Sequence, residues 1–220
     1  YASIANSGTY IKPKFYTKIL DHNGNVLLDN TNSESHTVIK ETTAWLLTSA
    51  MEDVMTSGTG KKAYFGSSMA QAGKSGTTTS SRDALFAGYT PYYTCAVWGG
   101  YDDNSVQKGH DTDYPKRIWK AVMSRLHEDL PYADFTQPSD IVAVAVCKES
   151  GKLPIEGVCS NDPRGNCVIT EYFAKGTEPT EYCDHHTVAN ICTASGMLAG
   201  SYCPADTITT GVYVIGGSAN

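Results

Sequence analysis

The chain has no apolar run approaching the ~20 residues a helix needs to cross a bilayer. Any membrane anchor is therefore expected in sequence outside these 220 residues. Charge is sparse: 18% of residues are Asp, Glu, Lys or Arg, with 17 basic against 23 acidic side chains. A net charge of −6 argues against the phosphate-neutralising surface of a nucleic-acid binder. No methionine starts the chain and no leader of the secretory type opens it. The opening residues read as the end of a helix stopped at Gly8, so the chain is expected to be a piece of a longer protein. Phe and Trp are scarce, at 5 and 3, whereas Tyr numbers 14, a balance suited to a β-rich extracytoplasmic protein.

Cysteine is not scarce, but it is unevenly placed. Cys95 stands alone in an apolar strand pattern and reads as a buried free thiol. The other six lie between residues 147 and 203. Such clustering points to disulfides and an oxidising compartment. Six cysteines allow fifteen pairings, and the sequence alone does not choose among them. A weak internal repeat favours one: Cys147 to Cys159 and Cys192 to Cys203 each enclose a Ser-Gly turn, which would make them hairpin staples and leave Cys167 with Cys183. The run Cys183-Asp184-His185-His186 contains good zinc ligands. Because a disulfide removes the thiolate a metal needs, no metal site and no cofactor are expected. His22, His36, His110 and His127 read as surface or partly buried residues with no catalytic triad around them.

Periodicity divides the rest. Asn23-Gly24 between 14–20 and 25–29 is a hairpin signal. Residues 41–57 predict a helix with Leu47, Ala50, Met51, Val54 and Met55 on its apolar stripe. Three strands follow near 70–78, 84–91 and 92–100, joined by turns short enough to require antiparallel pairing. The polar loop 102–113 has carboxylates but not the ligand spacing of a calcium loop. Residues 115–129 predict a second helix, with Pro115 in its first turn and Ile118, Trp119, Val122 and Leu126 on its apolar face. A linker at 131–139 leads to the strand Ile141-Val142-Ala143-Val144-Ala145-Val146 and a small Cys-rich β tail, 140–220. The class is α+β: an antiparallel sheet flanked by helices over 1–130, with a disulfide-rich β appendage.

The first predicted strand of that sheet carries Lys74-Ser75-Gly76-Thr77-Thr78. A lysine there offers a fixed positive charge to a substrate carboxylate, and the hydroxyls of Ser75 and Thr77 can donate to the same group. Gly76 lets a ligand backbone approach the strand. The Thr77 N–H can hold an oxyanion during acyl transfer. Thr79 is a further candidate ligand contact, and Asp83 is expected to order the following turn. Three such residues recur by chance, so the context decides. Lys74 to Trp98, including Arg82-Asp83-Ala84 and Gly88-Tyr89-Thr90-Pro91, resembles the third-motif region of class A penicillin-binding proteins. Tyr1 to Pro13 and Thr17 to Leu27 resemble the stretch those proteins carry between their second and third motifs. Thr170-Glu171-Tyr172-Phe173 and Gly176 to Thr180 resemble the tail of Gram-positive members.

The resemblance implies a serine D,D-transpeptidase of peptidoglycan synthesis on the outer face of the bacterial cell membrane. Its substrates would be peptidoglycan stem peptides, and β-lactams would acylate it. Lys74, Ser75, Gly76, Thr77 and Thr79 would form the substrate-binding edge, with Lys74 and Thr77 taking part in catalysis. The family also needs Ser-x-x-Lys and Ser-x-Asn motifs earlier in the chain. The 73 residues before Lys74 contain neither. Ser105-Val106-Gln107-Lys108 and Ser218-Ala219-Asn220 match literally but follow the lysine motif, and are read as chance. The partner expected is therefore an upstream segment of the same protein carrying the nucleophile, without which this chain is inactive. Two alternatives stand beside this reading: a serine β-lactamase, which shares the lysine strand, and a non-catalytic module that grips cell wall or a partner.

Overall fold

A computed structural model of the chain describes residues 1–107, 109 and 112–215. Lys108, His110, Asp111 and the Ser218-Ala219-Asn220 match lie outside the described residues. The chain divides into two compact units, Tyr1–Ser139 and Asp140–Asn220.

The first unit opens with a helical turn, α1 (Ala2–Ala5), that ends where Ser7 and Gly8 turn left-handed, at φ 50° and 86°. The Gly8 N–H closes the end on the Ser3 carbonyl at 2.8 Å. A Cβ on Gly8 would lie 2.1 Å from the Ile39 carbonyl oxygen, so the expected stop is also a close approach. β1 (Thr9–Ile11) pairs with β4 (Ser35–Thr37), and between them β2 (Lys18–Leu20) and β3 (Val26–Asp29) form a hairpin. Its turn is held by the Asp21 carboxylate, which accepts the Asn23 and Asn25 N–H groups at 2.8 Å each.

Helix α2 (Glu41–Thr56) buries Ala44, Thr48, Met51 and Met55. The predicted stripe is thus correct in Met51 and Met55, whereas Leu47 and Ala50 are exposed. The positions 44, 48, 51 and 55 keep the 3- and 4-residue spacing of a single face; Leu47 lies a quarter-turn off it. The central sheet is β5 (Ala72–Thr77), β6 (Asp83–Tyr89) and β7 (Thr94–Gly100), antiparallel and in that spatial order. Helix α3 (Tyr114–Leu126) follows, with Pro115 in its first turn.

One face of the sheet is the core. Phe86 and Trp119 meet edge to face at 5.2 Å, with Met55, Ala63 and Met123 around them, all fully buried. A Cβ at Gly88 would lie 3.0 Å from the Trp119 ring, and one at Gly73 2.8 Å from the Phe86 ring. These two glycines therefore set how closely α3 and the Phe86 ring pack on the strands. On α3 the buried residues are Pro115, Trp119 and Met123. Of the apolar face expected from sequence, only Trp119 is buried; Ile118, Val122 and Leu126 are exposed. His127 is also buried rather than superficial. Its Nδ1 faces the Met123 carbonyl at 2.6 Å and its Nε2 the Thr90 hydroxyl at 2.8 Å.

The second unit contains a two-stranded sheet, β8 (Ile141–Cys147) with β9 (Val168–Ala174). A three-stranded sheet has the order β11 (Met197–Leu198), β10 (His186–Cys192), β12 (Ile208–Val214). Its core is built of cysteine: Cys147, Cys159, Cys167 and Cys183 pack with Ile155 and Val168. The expected disulfides are not formed. All seven cysteines are free thiols. For three of them the reason is spatial, since the Cys147, Cys159 and Cys183 sulfurs converge on His186; Cys192 and Cys203 do lie beside each other, as expected, but as hydrogen-bonded thiols and not a bridge. The repeat that prompted the pairing is real at the level of the turn. Gly151 and Gly196 both have φ 70°, and each donates its N–H at 2.8 Å to the carbonyl of the cysteine four residues earlier. Cys95 is free and only partly buried.

Candidate active-site edge

Among the described residues β5 pairs with β6 alone, which puts it at the edge of its sheet. Register fixes what each residue presents. Ser75 and Thr77 lie opposite Phe86 and Ala84, on the face covered by helices, whereas Lys74 and Gly76 lie opposite Ala87 and Leu85 on the other. The Thr78 N–H bonds the Asp83 carbonyl at 3.1 Å, which sets the phase of the ladder. Alternation then turns the N–H and C=O groups of Ser75 and Thr77 away from β6, toward the open edge.

The candidate residues meet at that edge. The Lys74 ammonium folds over it to donate to the Ser75 carbonyl at 3.0 Å, and is exposed. The Ser75 hydroxyl donates to the Thr59 hydroxyl at 3.1 Å. Thr59 follows the end of α2 and was not anticipated from sequence; nothing in a Gly-Thr-Gly turn signals a partner sixteen residues away. Gly76 is half-buried and Thr77 exposed. Thr79 is exposed in the 3-10 turn Thr79–Ser81, beyond the strand. The structure thus brings Lys74, Ser75 and the Thr77 backbone together and leaves Thr79 in the adjoining turn.

That turn is tightly held. The Thr78 hydroxyl donates to Asp83 Oδ2 at 3.0 Å and accepts the Asp83 N–H at 2.7 Å, while the Trp98 indole donates to Asp83 Oδ1 at 3.0 Å. Asp83 therefore orders the turn, as expected. Ser80 and Ser81 sit at φ 62° and 53°, a costly pair for residues with side chains. From beneath, Gln107 latches the turn: its N–H reaches the Ser81 carbonyl at 3.2 Å and its amide donates to the Arg82 and Gly99 carbonyls at 2.8 and 3.0 Å. Gln107 belongs to the literal Ser-x-x-Lys match. Its buried role, and a Ser105 hydroxyl bonded to the Asp103 carboxylate at 2.5 Å, put that segment to structural use.

Two carboxylates of this unit are displaced far from their ordinary values. Burial lifts Glu52 on α2 to about 7, with the nearby Asp134 and Asp53 charges adding to it. Asp113, before α3, is drawn down to about 2 by hydrogen bonds from Lys116 and Lys62. Neither belongs to the strand edge. Donors able to hold a metal converge in the second unit instead, at Cys147, Cys159, Cys183 and His186.

The three-stranded antiparallel sheet with helices on one face is similar to part of the transpeptidase domain of penicillin-binding proteins. Residues 1–124 match the penicillin binding protein transpeptidase domain, and residues 137–188 the C-terminal domain of penicillin-binding protein 1A. The chain is 38% identical to penicillin-binding protein 1A of Clostridium perfringens over 87% of its own length and 23% of that protein. Against penicillin-binding protein 1A of Clostridium botulinum identity is also 38%, over 97% of this chain and 26% of that one. The crystal structure of penicillin-binding protein 1A from Haemophilus influenzae superposes with a TM-score of 0.69 at 25% identity, covering 83% of this chain and 32% of the other. That of PonA1 from Mycobacterium tuberculosis gives 0.55 at 30% identity, covering 63% and 39%. The chain belongs to the class A penicillin-binding proteins and carries part of their transpeptidase domain. It spans about a quarter of the length of the curated relatives it matches.

Proposed function

We propose that this chain forms the substrate-binding edge of a D,D-transpeptidase that cross-links peptidoglycan stem peptides and is acylated by β-lactams. The observation carrying this is the juxtaposition at one sheet edge of the Lys74 ammonium, bonded to the Ser75 carbonyl at 3.0 Å, with the outward Thr77 N–H. The nucleophilic serine and the Ser-x-Asn motif lie on a segment preceding these residues in the longer protein. The serine oxygen attacks the carbonyl of the penultimate D-alanine. The terminal peptide bond breaks and D-alanine leaves as the protonated amine. An amine of a neighbouring stem then takes the acyl group, and the serine recovers its proton. Lys74, Ser75 and Thr77 hold the terminal carboxylate of the donor, or that of a β-lactam, and the Thr77 N–H stabilises the oxyanion. Gly76 admits the substrate backbone along the strand, and Thr79 borders the ligand from the turn.

In this reading residues 1–130 are transpeptidase, 131–139 a linker and 140–220 an appended β domain. The described residues contain no helix long and apolar enough to cross a membrane, and the protein works at the outer face of the membrane through an anchor elsewhere in its sequence. Intact-mass analysis and peptide mapping of the longer protein with benzylpenicillin test the assignment. One penicillin mass on a serine upstream of Tyr1 is expected. An adduct within residues 1–220, or fast penicillin hydrolysis without a lasting adduct, rejects it, and the latter outcome favours a β-lactamase.

A further inference from the structure

The second unit has an unusual core. Where a small domain would place aliphatic side chains, Cys147, Cys159, Cys167 and Cys183 are each 5% exposed or less. Two small sheets with neither disulfide nor large apolar centre have little to hold them together, and domains of this size commonly use a covalent or metal staple. The free thiols leave the metal.

Four donors converge. The Sγ atoms of Cys147, Cys159 and Cys183 and a ring nitrogen of His186 all lie within 4.8 Å of one another. His186 Nδ1 lies 3.5 Å from Cys147 Sγ and 3.3 Å from Cys183 Sγ. A tetrahedron with Zn–S of ~2.3 Å and Zn–N of ~2.0 Å has sulfur–nitrogen edges of about 3.5 Å. The donors come from three pieces of chain: Cys147 ends β8, Cys159 opens a 3-10 turn, and Cys183 and His186 lie together at the start of β10. Backbone hydrogen bonds fasten these pieces around the cluster. The Cys167 N–H reaches the Cys159 carbonyl at 3.0 Å, the Lys148 N–H the Cys167 carbonyl at 2.9 Å, and the Cys183 N–H the Leu153 carbonyl at 2.8 Å.

The surroundings also fit. The Ile155 and His185 N–H groups point at the Cys159 and Cys183 sulfurs, both at 3.3 Å, as donors to thiolates do. His186 Nε2 lies 2.7 Å from Asp162 Oδ2, both side chains wholly buried. The carboxylate thereby keeps the proton on Nε2 and turns the Nδ1 lone pair toward the sulfurs, the outer-shell arrangement that orients metal-bound histidines. Asp162 is itself fixed by Arg164, through its N–H at 2.7 Å, Nε at 3.0 Å and a terminal nitrogen at 2.9 Å. Asp162, Cys167 and His186 form a second convergent group. It has only three donors, and Cys167 Sγ is directed to the Gly165 carbonyl at 3.5 Å.

We propose that Cys147, Cys159, Cys183 and His186 bind one Zn²⁺ as a closed, structural Cys3His site that holds the appended unit together. Three thiolates with one imidazole are the ligand set of a structural zinc. No donor position is left for water or substrate, so the site is not catalytic. On binding, the three thiols give up their protons to solvent and the metal becomes part of the folding equilibrium.

Zinc content of the purified 220-residue chain, free-thiol titration and the spectrum of the Co²⁺-substituted chain test this. One zinc per chain is expected, with three fewer reactive thiols than after chelation and denaturation, and a thiolate-to-cobalt band of tetrahedral type. Cys183→Ser should lose the metal, and Cys167→Ser should keep it. Because Cys183→Ser could act through misfolding, His186→Cys supplies a control: it replaces one ligand with another and should retain one zinc. Failure of the reduced chain to bind either Zn²⁺ or Co²⁺ overturns the proposal. So does a native disulfide between Cys147 and Cys159, tight binding of iron in place of zinc, or loss of metal in Cys167→Ser with retention in Cys183→Ser.

Discussion

The two units of this chain gather their functional groups in opposite ways. In the first, the Lys74 ammonium, the Ser75 hydroxyl and the Thr77 N–H stand along an open strand edge, with Lys74 and Thr77 exposed. In the second, three cysteines and His186 close on one point, all buried. An edge strand must leave unpaired backbone groups for a substrate to use, and it needs a second wall before chemistry can occur. A structural metal site needs the reverse, with every donor supplied and water excluded. On the proposed readings, the enzyme-like unit takes the rest of its site from the longer protein, whereas the appended unit supplies every donor of its own.

A second contrast lies inside the appended unit. The Cys147 and Cys192 turns share the same glycine conformation, yet their cysteines differ in company. Cys147 meets two other cysteines and a histidine, whereas Cys192 has a single cysteine, Cys203, and the Thr207 hydroxyl at 3.7 Å beside it. Local repetition copies a turn. What surrounds it depends on strands that arrive from elsewhere.

The open-edge reading is most sharply tested at its cation. Lys74→Ala in the longer protein should slow acylation by benzylpenicillin roughly 100-fold or more, the scale seen when one transition-state donor is removed. Since the side chain is exposed, stability should change by no more than about 0.5 kcal/mol. Equal acylation rates in stopped-flow quenching would detach Lys74 from the site. On the closed side, Asp162→Asn leaves all four ligands in place but weakens the hold on the His186 ring. Zinc affinity should fall about 10- to 100-fold in competition with a chromophoric chelator. An unchanged affinity would mean that the carboxylate does not orient the ligand.

The smallest effect belongs to a carboxylate in neither site. Folding raises Glu52 from 4.5 to about 7, so the folded chain holds this proton more tightly than the unfolded chain. Its contribution is fully present below about pH 4.5 and is lost as pH rises through about 7. Glu52→Gln should therefore melt at a higher temperature than the parent near pH 8, with the gap closing toward pH 4.5. Parallel melting curves across that range would show that Glu52 ionises normally.

Much of the first unit could be read from the order of residues. The helix at 41–57, the three strands and the helix after Pro115 follow from period, turn residues and caps, which are local quantities. The Lys-Ser-Gly strand was legible for the same reason, as was the ordering role of Asp83. Thr59 beside Ser75 and the Gln107 latch were not, because each depends on how separate segments pack. The helix faces were read only in part. Leu47, Ile118, Val122 and Leu126 satisfy a helical period yet lie exposed, since period fixes which residues share a face but not which face meets the sheet.

The cysteines mark the same boundary most clearly. Sequence established that six of them cluster in the tail and that two turns repeat, because spacing and turn chemistry are properties of short stretches. Whether those thiols pair or converge was decided only by the tertiary structure. Cys147, Cys159, Cys183 and His186 are drawn from segments up to 39 residues apart, and only the packing of two sheets places their donor atoms around a single point.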